Sequence, residues 1–186
     1  MSAFGHDLCL SFFEKAYDDG MFEFPRGAKV LEVGCAEADW LTPMKQQRPD
    51  LHLTGIDVRS CKRPGADILI VGDVLTHAFE PESFDCIVAV SSIEHVGLGA
   101  YGDPKDPDGD THAMARIKTW LKPGGWMYLD VPYRPCGPYS VNGNYRAYDP
   151  DTLNARLFTG WTKRAARLYE GNHSDAPFLA LTVTPA

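Results

Sequence analysis

Three acidic side chains stand where short β-type runs end, and their spacing suits a nucleoside. Glu32 precedes the turn Gly34-Cys35-Ala36, Asp57 closes the run Thr54-Gly55-Ile56-Asp57 and is followed by Val58, and Asp73 lies between Gly72 and Val74. A glycine at such a turn lets the backbone approach a ligand closely. Asp57 comes 23 residues after Gly34, a spacing that suits an acid accepting hydrogen bonds from both ribose hydroxyls of an adenosine. Asp73 can receive the adenine amino group. Val74 is either an adenine contact or a core side chain.

The elements that would position these acids can be read in order. Strands are expected at Lys29–Gly34, His52–Val58, Ile68–Gly72, Phe84–Val90 and Trp126–Val131, with two more at Lys163–Glu170 and Phe178–Val183. The last two have no clear helix between them, so they should form a hairpin that adds an antiparallel strand at the sheet edge. Leu8, Phe12 and Ala16 mark one face of an N-terminal helix within residues 1–24, taken as a cover for the site. Asp110 or Thr111 can cap a helix that Lys122-Pro-Gly-Gly125 stops, and Asp149-Pro150-Asp151 starts another that ends at Gly160. The whole chain, 1–186, reads as one domain of α/β class: a three-layer α/β/α Rossmann-like sandwich with a seven-stranded, mostly parallel sheet.

Two irregular stretches, 97–110 and 132–148, follow consecutive strands at the ends where open α/β sheets bind ligands. They are the expected substrate loops. Tyr101, Tyr133, Arg134, Asn144, Tyr145 and Arg146 are their candidate contacts. Tyrosine offers flat apolar area with a hydrogen-bonding tip, and a guanidinium at Arg146 could hold a carboxylate or phosphate.

The acids, with Phe84-Asp-Cys-Ile-Val-Ala-Val90, Ile93-Glu94-His95-Val96 and Leu121-Lys-Pro-Gly-Gly-Trp126 following in order, resemble the class I S-adenosylmethionine-dependent methyltransferases. In the glycine motif of that family, alanine stands twice here, at Ala36 and Ala38. The resemblance implies that Glu32, Gly34, Cys35 and Ala36 shape the methionine end of the pocket. It places the ribose on Asp57 with Val58 beside it, adenine near Gly72, Asp73 and Val74, and Ser91 against the cofactor. It also puts His95 opposite the transferring methyl group, either as a base or as a histidine that orders the loop, and Glu94 could orient it, pair with a backbone amide or bind a metal. A nicotinamide site would need G-x-G-x-x-G, and Glu37 and Asp39 beside a diphosphate would be unfavourable, whereas a sulfonium and an ammonium tolerate them. S-adenosylmethionine is therefore the expected cofactor and S-adenosylhomocysteine its product.

Ser91 stands where metal-dependent relatives carry a Glu, and no metal site is expected. Asp130-Val-Pro-Tyr133 nearly spells the D-P-P-Y of nucleobase methyltransferases but follows the fifth strand instead of the fourth. That position and a formal net charge of -7 argue against a nucleic-acid partner. The stretch Ile93–Asp110 also resembles a group of small methyltransferase-like proteins sometimes associated with surface-glycan synthesis. It implies a small-molecule acceptor, with O-methylation of a sugar or a related hydroxyl or carboxylate metabolite. The alternatives are a protein side-chain methyltransferase and a non-catalytic cofactor-binding subunit. The five scattered cysteines suggest no disulfide framework, and no apolar run is long enough for a membrane span. A cytoplasmic monomer or homodimer is expected.

Overall fold

Side chains alternate across the central strands and so divide between two apolar cores. Val30, Cys86, Val88, Trp126 and Tyr128 face one core; their neighbours Leu31, Ile87, Ala89, Met127 and Leu129 face the other. A sheet with two apolar faces must be covered on both, which makes three layers.

A computed structural model describes residues 4–170 and 177–186, with side chains from residue 9 onward. Helix α1 (Phe4–Asp18) leads to β1 (Lys29–Val33), α2 (Leu41–Gln47), β2 (His52–Asp57), β3 (Ile68–Val71) and β4 (Phe84–Ala89). Then follow α3 (Gly109–Trp120), β5 (Leu121–Pro132), a short pair β6 (Ser140–Asn142) and β7 (Tyr145–Ala147), α4 (Pro150–Leu157), β8 (Trp161–Tyr169) and β9 (Phe178–Pro185). The order β3-β2-β1-β4-β5-β9-β8 makes the expected seven-stranded sheet. Helices α1 and α2 cover the face with the larger share of aromatic rings, where Phe13, Phe22, Phe24, Trp40 and Tyr128 pack together, most of them tilted and Phe24 stacked on Trp40. Helices α3 and α4 cover the other through Met114, Ile117, Leu153 and Leu157. The Leu8 contact falls outside the described side chains, as does the turn joining β8 to β9.

The hairpin differs from expectation in one respect. β9 pairs antiparallel with both β5 and β8, so the antiparallel strand lies inside the sheet and β8 forms the edge. The other edge, β3, has no helix before or after it, and Ile68, Leu69 and Val71 stay exposed.

Helix α4 has the cap its sequence announces. One carboxylate oxygen of Asp149 accepts from the amides of Asp151 (3.0 Å) and Thr152 (2.8 Å), and the other accepts from Tyr139 N (2.8 Å). Those amides, Thr152 first, hold the carboxyl below the usual range. Its folded pKa being depressed, its contribution is present above the unfolded value and fades as pH falls through the folded one. Asp149→Ala should lower the neutral-pH Tm by about 2–4 °C. Asp149→Asn should keep most of the cap but flatten its acid dependence, as melts between neutral pH and the acid limb would record.

Candidate active site

The carboxyl ends of β1 to β4 open on a single cleft. Gly34, Asp57, Val58, Gly72, Asp73, Val74, Ser91, His95 and Tyr101 line it, all of them anticipated, together with Arg59, which was not. Gly34 has φ +85°, and a Cβ there would lie 2.7 Å from Ser92 Cβ. Only glycine fits that turn.

Asp57 is 6% exposed and saturated with donors. Its Oδ1 accepts from Arg59 N (2.8 Å) and Nε (3.1 Å), and its Oδ2 from Ala36 N (3.0 Å) and Arg59 Nη2 (3.3 Å). The Arg59 guanidinium also pairs with Glu37 and lies 4.2 Å from the Tyr101 ring centroid. Asp103 shapes the loop that carries Tyr101 by accepting from the amides of Gly97 (2.8 Å), Gly99 (3.3 Å) and Tyr101 (3.3 Å).

At the tip of β4, Ser91 adopts φ +45°, rare for a side chain other than glycine. Its amide donates to Asp130 (2.9 Å) and its hydroxyl to Glu94 (2.7 Å). Asp130 also accepts from the Tyr128 hydroxyl (2.9 Å); burial, then the nearby Glu94 charge, holds its carboxyl well above the ordinary range. Burial pushes Glu94 up to about 7. Cys9 of α1 contacts Ser91, so this helix touches the cleft floor.

His95 stands on a single 3₁₀ turn (Ile93–His95) with its ring edge toward Tyr101, centroids 5.3 Å apart. Its Nδ1 bonds the carbonyl of Asn144. A carbonyl only accepts, so Nδ1 carries the proton and Nε2 keeps a free lone pair. Burial lowers the pKa of the imidazole, which keeps it neutral at physiological pH. Glu94 Oε1 lies 3.8 Å from Nε2.

Several anticipated residues stand elsewhere. Strand alternation turns Glu32 away from the cleft toward the α1–α2 face; it is 1% exposed, and burial raises its carboxyl well above the usual range. Cys35 is buried beside Cys61, their sulfurs 3.8 Å apart, and Ala36 contributes its amide to Asp57. Glu94 is fully buried behind His95. Arg146 cannot be the substrate contact its charge suggested. It is 0% exposed and donates to the carbonyls of Glu94 (3.2 Å), Val96 (2.7 Å), Asp106 (3.3 Å) and Pro107 (3.2 Å), tying the 97–110 loop to β7. Tyr133, Arg134 and Tyr145 do not line the cleft either. Tyr133 and Arg134 hydrogen-bond through their amides to Pro177 O and Tyr148 O, and the Tyr145 hydroxyl accepts from Asn142. From the 132–148 stretch, Asn144 meets the cleft residues His95, through its carbonyl, and Tyr101, through its side chain, while Arg146 reaches the carbonyl of Val96 from behind. Among the described residues, no helix is long and apolar enough to cross a membrane.

Solved structures share this architecture at low sequence identity. The chain aligns over its full length with 91% of a Burkholderia thailandensis 1,6-didemethyltoxoflavin-N1-methyltransferase, solved with bound 1,6-didemethyltoxoflavin and S-adenosylhomocysteine (16% identity, TM-score 0.63). It aligns over its full length with all of a TehB-like SAM-dependent methyltransferase from Corynebacterium glutamicum (20% identity, TM-score 0.60). The cyclase SpnF is similar too, over 95% of this chain and 81% of its own (16% identity, TM-score 0.67). The fold is thus that of the class I S-adenosylmethionine-dependent methyltransferases, and it also serves a cyclase. No curated protein matches the sequence. Residues 66–169 match the family DUF268, described as a Caenorhabditis protein of unknown function, and because the match spans more than half of the chain, the protein belongs to that family.

Proposed function

We propose that the protein is an S-adenosylmethionine-dependent methyltransferase that methylates a hydroxyl of a small polar molecule such as a sugar. One observation carries the reading: a single cleft joins Gly34, Asp57 and Asp73 to a neutral imidazole with a free Nε2. Asp57 would hold the ribose, Asp73 and Val74 the adenine, and the Gly34–Ala36 turn the methionine end, with Cys9 of α1 behind Ser91 at the cleft floor and not over the cofactor as the sequence suggested. The cofactor supplies a methyl group already activated as a sulfonium, so placing the acceptor in line accounts for much of the acceleration. His95 Nε2 takes the proton that an acceptor hydroxyl must lose. Glu94 sits where its negative charge offsets the imidazolium that forms. Val33, Ile56, Val58 and Val90 make the wall apolar and limit water.

Calorimetry with S-adenosylhomocysteine tests the cofactor half. Wild type should bind and Asp57→Ala should lose about 100-fold or more, the loss of two charge-assisted hydrogen bonds. Uptake of a nicotinamide or flavin nucleotide in its place would overturn the reading. Screening labelled methyl transfer to sugars, carboxylic acids and peptides tests the acceptor half. Transfer to peptides alone sinks the small-acceptor assignment, and binding without any transfer points to a non-catalytic subunit.

A further inference from the structure

We propose that Arg59 is a built-in competitor of the cofactor, its guanidinium filling the two acceptor positions on Asp57 that a ribose diol would take. This rests on the cofactor reading above and adds to it a residue that sets affinity and couples binding to the loop at 97–110. A carboxylate offers about four lone-pair positions. On Asp57 all four are used: Arg59 N and Nε on Oδ1, Ala36 N and Arg59 Nη2 on Oδ2. The two backbone donors belong to the turns after β1 and β2 and hold the carboxylate in place. The two guanidinium donors are one to each oxygen, the pattern a vicinal diol presents with its two hydroxyls. Diol and guanidinium therefore exclude one another.

The same guanidinium has other ties. It pairs with Glu37 across the cleft, and its flat face lies on Tyr101, whose loop Asp103 organises and whose ring abuts His95. When the diol displaces Arg59 from Asp57, Tyr101 loses its stacking partner beside the proposed base. Cofactor entry is thus coupled to the wall against which an acceptor would rest. The arrangement also discriminates: a ligand lacking one of the two hydroxyls cannot replace both guanidinium bonds and leaves part of the carboxylate unpaired.

The test compares S-adenosylhomocysteine binding by calorimetry in wild type, Arg59→Met and Arg59→Lys, with melting curves to confirm folding. The Arg59 side chain is 29% exposed, so either change should be tolerated. Arg59→Met should bind about tenfold tighter, since the population with Asp57 available rises. Arg59→Lys keeps the charge but presents a point donor in place of a planar fork, and it too should bind more tightly than wild type. In wild type labelled with ¹⁵N at arginine, the Arg59 Nε–H resonance should shift when S-adenosylhomocysteine is added. Unchanged or weaker binding by a folded Arg59→Met, or a lysine variant indistinguishable from wild type, overturns the proposal and leaves the cofactor assignment standing. If neither wild type nor Arg59→Met binds S-adenosylhomocysteine, both fall.

Discussion

Replacing His95 with alanine is expected to leave S-adenosylhomocysteine binding nearly unchanged and to reduce turnover by about 10²–10⁴-fold. The expectation follows from the tautomer. With Nδ1 committed to the Asn144 carbonyl, the ring presents Nε2 as its only basic atom. Burial lowers the imidazole pKa, so the base form predominates at neutral pH. The rate should fall on the acid side of the ordinary histidine range, as protonation removes the lone pair, and should also rise with pH near neutrality as Glu94, pushed up to about 7, gains the charge that offsets the imidazolium. His95→Gln should keep a donor toward Asn144 while lacking a base, which separates proton abstraction from bracing of the 140–147 hairpin. Turnover unchanged in both variants would remove the base role.

Asp110→Ala should lower the free energy of unfolding by about 3–5 kcal/mol, the penalty for stranding buried charge. Asp110 is 0% exposed and serves three partners. Arg156 donates to both of its oxygens (2.9 and 2.6 Å), the Tyr148 hydroxyl donates at 2.9 Å, and Arg146 Nε stands 3.6 Å away. Removing the carboxylate leaves the fully buried Arg146 without its counter-charge. The same guanidinium holds the carbonyls of residues 94, 96, 106 and 107, so the loop beside His95 should loosen as well. Urea unfolding reads the first effect, and hydrogen exchange over residues 97–110 reads the second. A loss under about 1 kcal/mol would mean that the ion cluster contributes little net stability, as replacements of whole buried ion pairs sometimes find.

The sheet and the acids at its strand tips could be read from sequence because both follow short-range rules. Alternation and β-branched runs mark β1, β2 and β4, and the acid that ends a run then lies at the sheet's carboxyl edge. Helix α4 is announced by Asp149-Pro150-Asp151, and the structure adds a capping box with Thr152. Helix α2 is not announced, since seven residues with a proline at Pro43 carry no periodic signal. Asp110 looked like a helix cap, although the helix starts one residue earlier and its carboxylate turns inward. Arg146 was misread for a similar reason. Its partners lie about 40 to 50 residues away, and no local pattern says that a charged residue in a polar loop will be enclosed by them. Arg59 had a usable clue, its place two residues after the acid that ends β2, but its side-chain direction depends on Glu37 and Tyr101, which only the folded chain brings near.

The left-handed torsion of Ser91 sets thermal endurance and chemistry at odds. Holding a serine there costs about 1–3 kcal/mol that a glycine would recover. Glycine would, however, lack the hydroxyl that grips the acid behind the imidazole. Selection for a hardier protein would push this position one way, and selection for a working enzyme the other.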